Sequence, residues 1–207
     1  MREGPVTTPV FLILTGATAD AERFTACQDL AREHWPEADV RMPNYLSRFR
    51  GIAGVGRWLD RYVARALAGP APVFVLAYVL GGAALPYAPT LLKRIGRIVL
   101  LRSRYQEAVP RALRARFGAW GSGLLFGKSV ADLGRERFWP QGFLVGCPAL
   151  TLVETRPGRL AVSLGVSPLS DAALGITSYT ELAIDHDIAY HSPSLMTAAT
   201  EWLKRPS

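Results

Sequence analysis

Residues 72–82 read PVFVLAYVLGG, and this stretch decides the class of fold. The run from Val73 to Tyr78 is almost wholly apolar, as a strand buried on both faces of a parallel sheet must be. Gly81 and Gly82 follow soon after, and a helix-like segment, AALPYAPTLLKRI, continues the chain. Adjacent glycines allow a strand and the next helix to approach closely. We therefore predict a strand, a tight turn and a helix here.

The same order of a buried strand and then a helix recurs on both sides of this stretch. Such alternation favours an α/β fold with a doubly wound, mostly parallel sheet and right-handed crossovers. The segment 105–139 interrupts the order with aromatic and glycine-rich pieces, so we interpret it as a cap or insertion within a single domain spanning 1–207. Strands are predicted over 10–14, 38–42, 73–78, 97–101, 142–154, 159–166 and 180–184, with helices over 58–67, 83–93 and 193–204 among others.

Composition limits the classes of protein that this chain can be. It has 207 residues, of which 49% are hydrophobic, enough for one buried core. The net charge of +7 favours anionic partners. An anionic membrane that the protein contacts peripherally is one such partner. Much of the charge recurs at helical spacing, as on a solvated helix face. No RNP, KH or helix-turn-helix signature accompanies it, so nucleic acid is not an expected partner.

No membrane span or signal peptide is expected. The apolar run over 72–89 is broken by glycine and proline and falls short of the roughly 20 residues that cross a bilayer. The apolar run near the amino terminus is shorter than the core of a signal peptide, and we interpret it as the first strand. A cytoplasmic protein is the resulting expectation.

Several motifs resemble those of one enzyme superfamily. AYVLGG (77–82) matches the nucleophile elbow pattern G-x-S-x-G-G except at its first glycine and its serine. On this motif and those that follow it in order, the chain resembles the α/β-hydrolases of the small bacterial lipase and esterase type. The other motifs are VFLILTG (10–16), RIGRIVLLRS (94–103), LLFGKSVADLG (124–134), SDAALGI (170–176) and TELAIDHDIAYHSPSLMTAATEWLKR (180–205).

The resemblance implies a catalytic triad without its nucleophile. In this family the order along the chain is Ser, then Asp or Glu, then His. The corresponding residues here are Val79, Asp171 and His186, and valine has no nucleophilic atom. Asp171 is thus predicted to orient His186 as a vestigial base, although Asp185 or Asp187 could equally be its partner. Residue 171 lies in the motif that carries the family's acid.

The resemblance also implies a ligand-binding region around the two strand-to-helix turns. Backbone N–H groups of Leu80 and of Ala17, which follows Gly16, are the candidate oxyanion donors. Thr15 stands where the family has a histidine. Tyr78 fills the sheet edge, or its phenol hydrogen-bonds a ligand. The candidate ligand-binding residues are therefore Thr15, Gly16, Ala17, Tyr78, Val79 and Leu80.

Two functions remain open from the sequence. One is a non-hydrolytic derivative of the fold that binds a small lipophilic or acyl-type molecule, or a partner protein. The other is an enzyme that acts on esters, thioesters or another carbonyl compound through His186 without a serine nucleophile. A nucleotide-dependent enzyme is disfavoured because TGATADAERF (15–24) lacks the further glycines of a dinucleotide turn. No cofactor or metal is expected, and the oligomeric state is not predicted.

Overall fold

The computed structural model describes residues 8–16, 21–67, 69, 71–135, 144 and 146–205. Within this part of the chain, six strands form one sheet in the order β2-β1-β3-β4-β5-β6, and each neighbouring pair is parallel. The prediction of an α/β fold with a mostly parallel sheet is confirmed. The strands are β1 (Val10–Leu14), β2 (Asp39–Arg41), β3 (Val73–Tyr78), β4 (Ile95–Ser103), β5 (Ala149–Arg156) and β6 (Thr180–Asp185).

Helices cover both faces of the sheet and enclose two apolar cores. The helices are α1 (Ala21–His34), α2 (Ile52–Ala66), α3 (Val79–Ala84), α4 (Pro89–Leu92), α5 (Val109–Phe126), α6 (Lys128–Leu133), α7 (Arg159–Ser163), α8 (Asp171–Leu174) and α9 (Pro193–Leu203). Strand β1 shows how the faces divide: Leu12 and Leu14 join the core under α2 to α4, whereas Phe11 and Ile13 join the core under α1 and α9. This two-sided burial explains why the strand has no polar residue.

Helix α2 begins earlier than the sequence indicates. Its first turn runs through Gly54 and Gly56, residues that sequence patterns assign to a loop. The backbone N–H of Ile52 donates to the Asp132 carboxylate (3.1 Å), so a residue 80 positions away caps the helix. A cap from a distant residue compensates for the low helix propensity of glycine.

The predicted strand over 159–166 is wrong, because the structure has helix α7 there. The backbone N–H of Arg159 donates to the Asp187 carboxylate (2.6 Å), which satisfies a free donor at the start of the helix. Ala161 points inward and is buried. Five residues are too few to reveal helical periodicity in the sequence.

The segment between β4 and β5 forms α5 and α6 in its described part. Gly118 has φ +70°, which bends α5 sharply between Phe117 and Ala119. Residues 136–143 lie outside the described residues, so the predicted cap over 105–139, and the single domain over 1–207, stay predictions. None of the helices in the described ranges has the length and apolarity that crossing a membrane requires.

Strand β2 lies at one edge of the sheet and is only three residues long. The Arg41 guanidinium donates from Nε to both carboxylate oxygens of Asp39, at 2.8 and 2.9 Å. Both of these side chains are well exposed to solvent. The edge strand is therefore short and carries an ion pair along its own length.

Candidate functional site

The carboxyl ends of the parallel strands bring the candidate site together. Because all six strands run in the same direction, the residues that follow them meet at one edge of the sheet, where α/β proteins bind ligands. Gly16 follows β1, Val79 follows β3, and His186 follows β6. Glu154 lies near the end of β5. These four residues come from segments up to 170 positions apart in the sequence.

A buried carboxylate holds His186. The imidazole Nδ1 lies 3.2 Å from each oxygen of Glu154. The Glu154 side chain is fully buried, and that of His186 is 12% exposed. Strands β5 and β6 are neighbours, and Glu154 pairs with Leu182, so the register places the carboxylate beside the residue that follows β6. The arrangement is that of a base and its orienting acid.

Sequence reasoning missed Glu154 and selected Asp171 in its place. The structure corrects this assignment: Asp171 begins α8, where it accepts a hydrogen bond from the Tyr179 hydroxyl (2.9 Å) and pairs with Arg104 (2.9 Å). The Asp171 side chain is about 45% exposed, and the Arg104 guanidinium neutralises its charge. A signal for Glu154 was present, since a carboxylate within the strand ALTLVETR is costly to bury without a partner.

The two aspartates that flank His186 have other partners. Asp185 accepts hydrogen bonds from the backbone N–H groups of Asp187 (2.9 Å) and Ile188 (3.1 Å), which shapes the turn after β6. Asp187 accepts from Arg159 at the start of α7. Neither carboxylate replaces Glu154 as the group that bonds the imidazole.

Several opposed influences set the pKa of His186. Burial disfavours the charged imidazole and by itself lowers the pKa. The charge of Glu154 and its hydrogen bond act in the opposite direction, and the charge of Asp187 adds to them. The net result is a pKa raised above the ordinary value of 6.5. The imidazole therefore accepts a proton more readily than a free histidine.

Two tyrosines occupy the turn after β1. The Gly16 N–H donates to the Tyr190 hydroxyl at 2.6 Å. The Thr15 hydroxyl donates to that of Tyr45 (3.1 Å), which in turn donates to the Thr15 carbonyl. A Cβ atom on Gly16 would lie 2.7 Å from the Tyr190 oxygen and 3.8 Å from Nε2 of His186, so bare backbone faces the imidazole. Ala17, the other predicted donor residue, lies outside the described residues.

Tyr78 supports Tyr190 from the core side. The two rings stack with centroids 4.3 Å apart and planes 8° from parallel. The Tyr78 hydroxyl donates to the Ala189 carbonyl (3.4 Å) and lies 3.7 Å from the sulfur of Cys27. Burial raises the pKa of Tyr78 well above its usual value. The Tyr78 phenol is thus hydrogen-bonded within the core. The prediction that it hydrogen-bonds a ligand gains no support from these contacts.

The junction after β3 is regular rather than strained. Strand β3 ends at Tyr78 with φ −75° and ψ 151°, and α3 begins directly at Val79, which is 5% exposed. Among the described residues, Leu46 is the only non-glycine residue with positive φ. A Cβ atom on Gly81 would lie 2.5 Å from that of Leu14, so glycine at this position lets α3 approach β1 closely. The candidate donor residue Leu80 is in the first turn of α3 and is buried.

We expect Glu154→Gln to lower the pKa of His186, because burial then acts without the opposing carboxylate. An NMR titration of the imidazole protons measures this shift. His34 serves as the assignment reference, since its ring bonds the Leu30 carbonyl and Thr197 instead of a carboxylate. An unchanged His186 titration would contradict the pairing.

The same pair makes stability depend on pH. A histidine whose pKa is raised by folding stabilises the native state fully below its unfolded pKa, and this contribution is lost as pH rises through the folded pKa. The parent should therefore gain stability relative to Glu154→Gln as pH falls from above the raised pKa of His186 to below 6.5. Thermal unfolding across that range measures the gain, and parallel curves for the two proteins would contradict it.

Comparisons with known proteins connect this geometry to a fold. Neither a model of a known family nor a curated protein matches the sequence. YbtT, a type II thioesterase from the yersiniabactin NRPS/PKS biosynthetic pathway, is 12% identical, with a TM-score of 0.55 over 98% of this chain and 96% of its own. MGS-MChE2, an α/β-hydrolase enzyme from the sediment metagenome of the Mar Chica lagoon in Morocco, is 15% identical, with a TM-score of 0.58 over 99% and 97%.

An esterase name also occurs among the similar structures. A thermophilic esterase from Thermogutta terrifontis is 14% identical, with a TM-score of 0.55 over 96% of this chain and 90% of its own. Identity this low carries a shared architecture and no shared activity. The likeness extends over nearly the whole of each chain, and with its six-stranded parallel sheet this chain therefore has the α/β-hydrolase fold.

Proposed function

We propose that this chain is a pseudo-hydrolase: an α/β-hydrolase-fold protein that has lost serine-dependent hydrolysis. The observation that carries this proposal is Val79 at the junction of β3 and α3, the place that the elbow resemblance assigns to the nucleophile. A valine cannot attack a carbonyl carbon, whatever base lies nearby. The regular backbone there agrees, because an active elbow holds its serine on a strained turn.

The contacts of Gly16 add to this argument. Hydrolysis of an ester needs free N–H donors that face the developing oxyanion. The Gly16 N–H, close to the imidazole, already donates to the buried Tyr190 hydroxyl. A substrate carbonyl would have to displace a phenol that stacks on Tyr78. The attacking atom is thus missing from this edge of the sheet, and one backbone N–H group beside the imidazole is already occupied.

The ligand that we propose for this edge is a small lipophilic or acyl-type molecule, with a partner protein as the other form of binding. Thioesterase and esterase names among the similar structures support the acyl class, since such enzymes act on acyl compounds. His186 retains a partly exposed imidazole with a raised pKa, which suits a carboxylate or a carbonyl oxygen as its ligand. A cytoplasmic location stays a prediction.

A second function follows from the Glu154–His186 pair. A histidine that is held by a carboxylate is equipped to accept a proton from water, which could then attack a carbonyl carbon directly. In that case the chain would be an ester- or thioester-directed enzyme without a covalent intermediate. The two functions differ in whether the parent protein turns over substrate.

The deciding experiment measures hydrolysis of aryl esters and acyl thioesters by four proteins: the parent, Val79→Ser, Tyr190→Phe and the double variant. We expect background rates from the parent and from Tyr190→Phe. Val79→Ser should gain weak activity, and the double variant should exceed it by up to about 10²-fold, because the Gly16 N–H is then free to bond a substrate carbonyl oxygen. Val162→Ser, which adds a serine on exposed α7, is the matched control and should stay at background.

Two results would contradict the proposal. Strong hydrolysis by the parent that His186→Ala abolishes would establish the second function instead. Background rates from the double variant, with its fold confirmed by circular dichroism, would show that residue 79 is not at the nucleophile position.

Titration of the parent with octanoate, followed by tryptophan fluorescence, tests binding separately. Affinity that His186→Ala leaves unchanged would exclude this edge as the ligand site.

A further inference from the structure

The second half of α5 exposes large apolar side chains. Trp120 is 81% exposed, Leu124 is 63% exposed and Leu125 is 53% exposed. Trp120 and Leu124 are four residues apart and lie on the same helix face. The bend at Gly118 separates this part of α5 from the part that packs through Leu113. Exposure of large apolar side chains to water is unfavourable, so a cluster of them on the surface indicates a binding surface.

A second exposed apolar pair adjoins the end of α5. Leu46 is 54% exposed and Phe49 is 77% exposed. The loop that carries them is fastened beside α5, because the Lys128 N–H donates to the Arg48 carbonyl (3.0 Å). A Cβ atom on Gly127, the residue that ends α5, would lie 2.9 Å from Cα of Arg48. We call these residues the apolar tip: Leu46, Phe49, Trp120, Leu124 and Leu125.

The segments that carry the apolar tip are strongly cationic. Neither 44–58 nor 109–128 contains an aspartate or a glutamate. The nearby Asp132 is engaged with the N–H of Ile52 and pairs with Arg135. Charge of one sign around exposed apolar groups favours an anionic partner. The cations of the two segments are Arg48, Arg50, Arg57, Arg111, Arg114, Arg116 and Lys128.

We propose that the apolar tip docks on an anionic lipid bilayer, with its side chains at the boundary of headgroups and acyl chains and the surrounding cations on the lipid phosphates. Aromatic and leucine side chains with arginine and lysine in the same segments are the composition that binds at this boundary. The proposal does not depend on the function of the Glu154–His186 edge. It adds a site of attachment built from residues that take no part in the Glu154–His186 pair.

Two observations favour a bilayer over a protein partner. Side chains that are more than half exposed need a preformed pocket in a protein, whereas lipid headgroups rearrange around them. A symmetric dimer through this surface would place the cations of one copy against the same cations of the other. Such like-charge contact is unfavourable, and a layer of anionic lipid has the opposite sign.

The test is co-sedimentation of the full chain with vesicles of phosphatidylcholine alone and with vesicles of equal parts phosphatidylcholine and phosphatidylserine. Binding is expected only to the anionic vesicles and should weaken as salt screens the charges. Arg48→Gln with Arg116→Gln should weaken it by about fivefold for each cation removed. Trp120→Ala with Leu124→Ala should weaken it by at least about tenfold, because apolar area no longer leaves water.

A matched control pair comes from α7, where Leu160 and Val162 are also exposed. Leu160→Ala with Val162→Ala should bind like the parent. Failure of the parent to sediment with anionic vesicles would overturn the proposal, as would unchanged binding by the Trp120→Ala, Leu124→Ala variant. A dimer on a sizing column that this variant dissociates would assign the surface to a second copy of the chain, and would also overturn it.

Discussion

Replacing Glu107 by leucine is expected to lower the free energy of unfolding by about 3–5 kcal/mol. The Glu107 carboxylate accepts from Nε of Arg102 at 2.6 Å and from its Nη2 at 2.7 Å, a two-point contact. Both side chains are almost completely buried. The substitution would leave the Arg102 charge inside the protein without its carboxylate, which is the costly way to break a buried ion pair.

Chemical denaturation followed by circular dichroism measures this loss. The double variant Arg102→Met with Glu107→Leu tests the cause, because removing both charges should recover most of the lost stability. Asp29→Asn is the matched exposed control: its partner Arg32 lies on the surface of α1, and such pairs contribute at most about 1 kcal/mol. A Glu107→Leu protein within 1 kcal/mol of the parent would contradict the prediction.

Gly56→Ala is expected to have the second largest effect, a loss of about 1–3 kcal/mol through overpacking. A Cβ atom at residue 56 would lie 2.4 Å from the carbonyl oxygen of Ala84 and 2.4 Å from Cβ of Tyr87. These atoms belong to the last residue of α3 and to the segment just after it, so α2 would have to move away from the helix that follows β3. Backbone on one side of the contact cannot rotate out of the way.

The control for this prediction lies one half-turn away in the same helix. At Gly54 the nearest atom to an added Cβ is Cβ of Arg50 at 3.5 Å, an ordinary contact. Gly54→Ala should therefore stabilise the protein by about 0.5–1 kcal/mol through helix propensity alone. Denaturation midpoints of the two variants should move in opposite directions. Equal shifts would mean that α2 does not pack this closely.

The strands that carry the site could be predicted because burial on two faces leaves a plain signal. The apolar runs of β1 and β3 have no polar residue to obscure them, and the predicted bounds match the structure. Strand β4 extends past its predicted end into Arg102 and Ser103. The predicted strand stops before the charge of Arg102, whereas in the structure that charge is buried with Glu107 as its partner.

The site itself was only half predictable, since one of its members depends on strand register. The sequence predicts His186 as a site residue because it follows a strand with a recognisable pattern. Glu154 became its partner because β5 and β6 pair side by side, which no local pattern encodes. Asp171 was selected because its motif fits the family order, yet its carboxylate is bound by Arg104 and Tyr179. Local resemblance could not reveal which acid reaches across the sheet.

The blunt margin formed by β2 has a consequence for how this protein behaves at high concentration. Unpaired backbone groups along an open sheet margin invite strands of other molecules to continue the ladder, which is a route to fibrils. Here a strand of another molecule could pair with only three residues. The exposed ion pair of Asp39 and Arg41 would also lose contact with water when that strand paired fully. Edge-to-edge pairing of β2 with a strand of another molecule is thereby disfavoured.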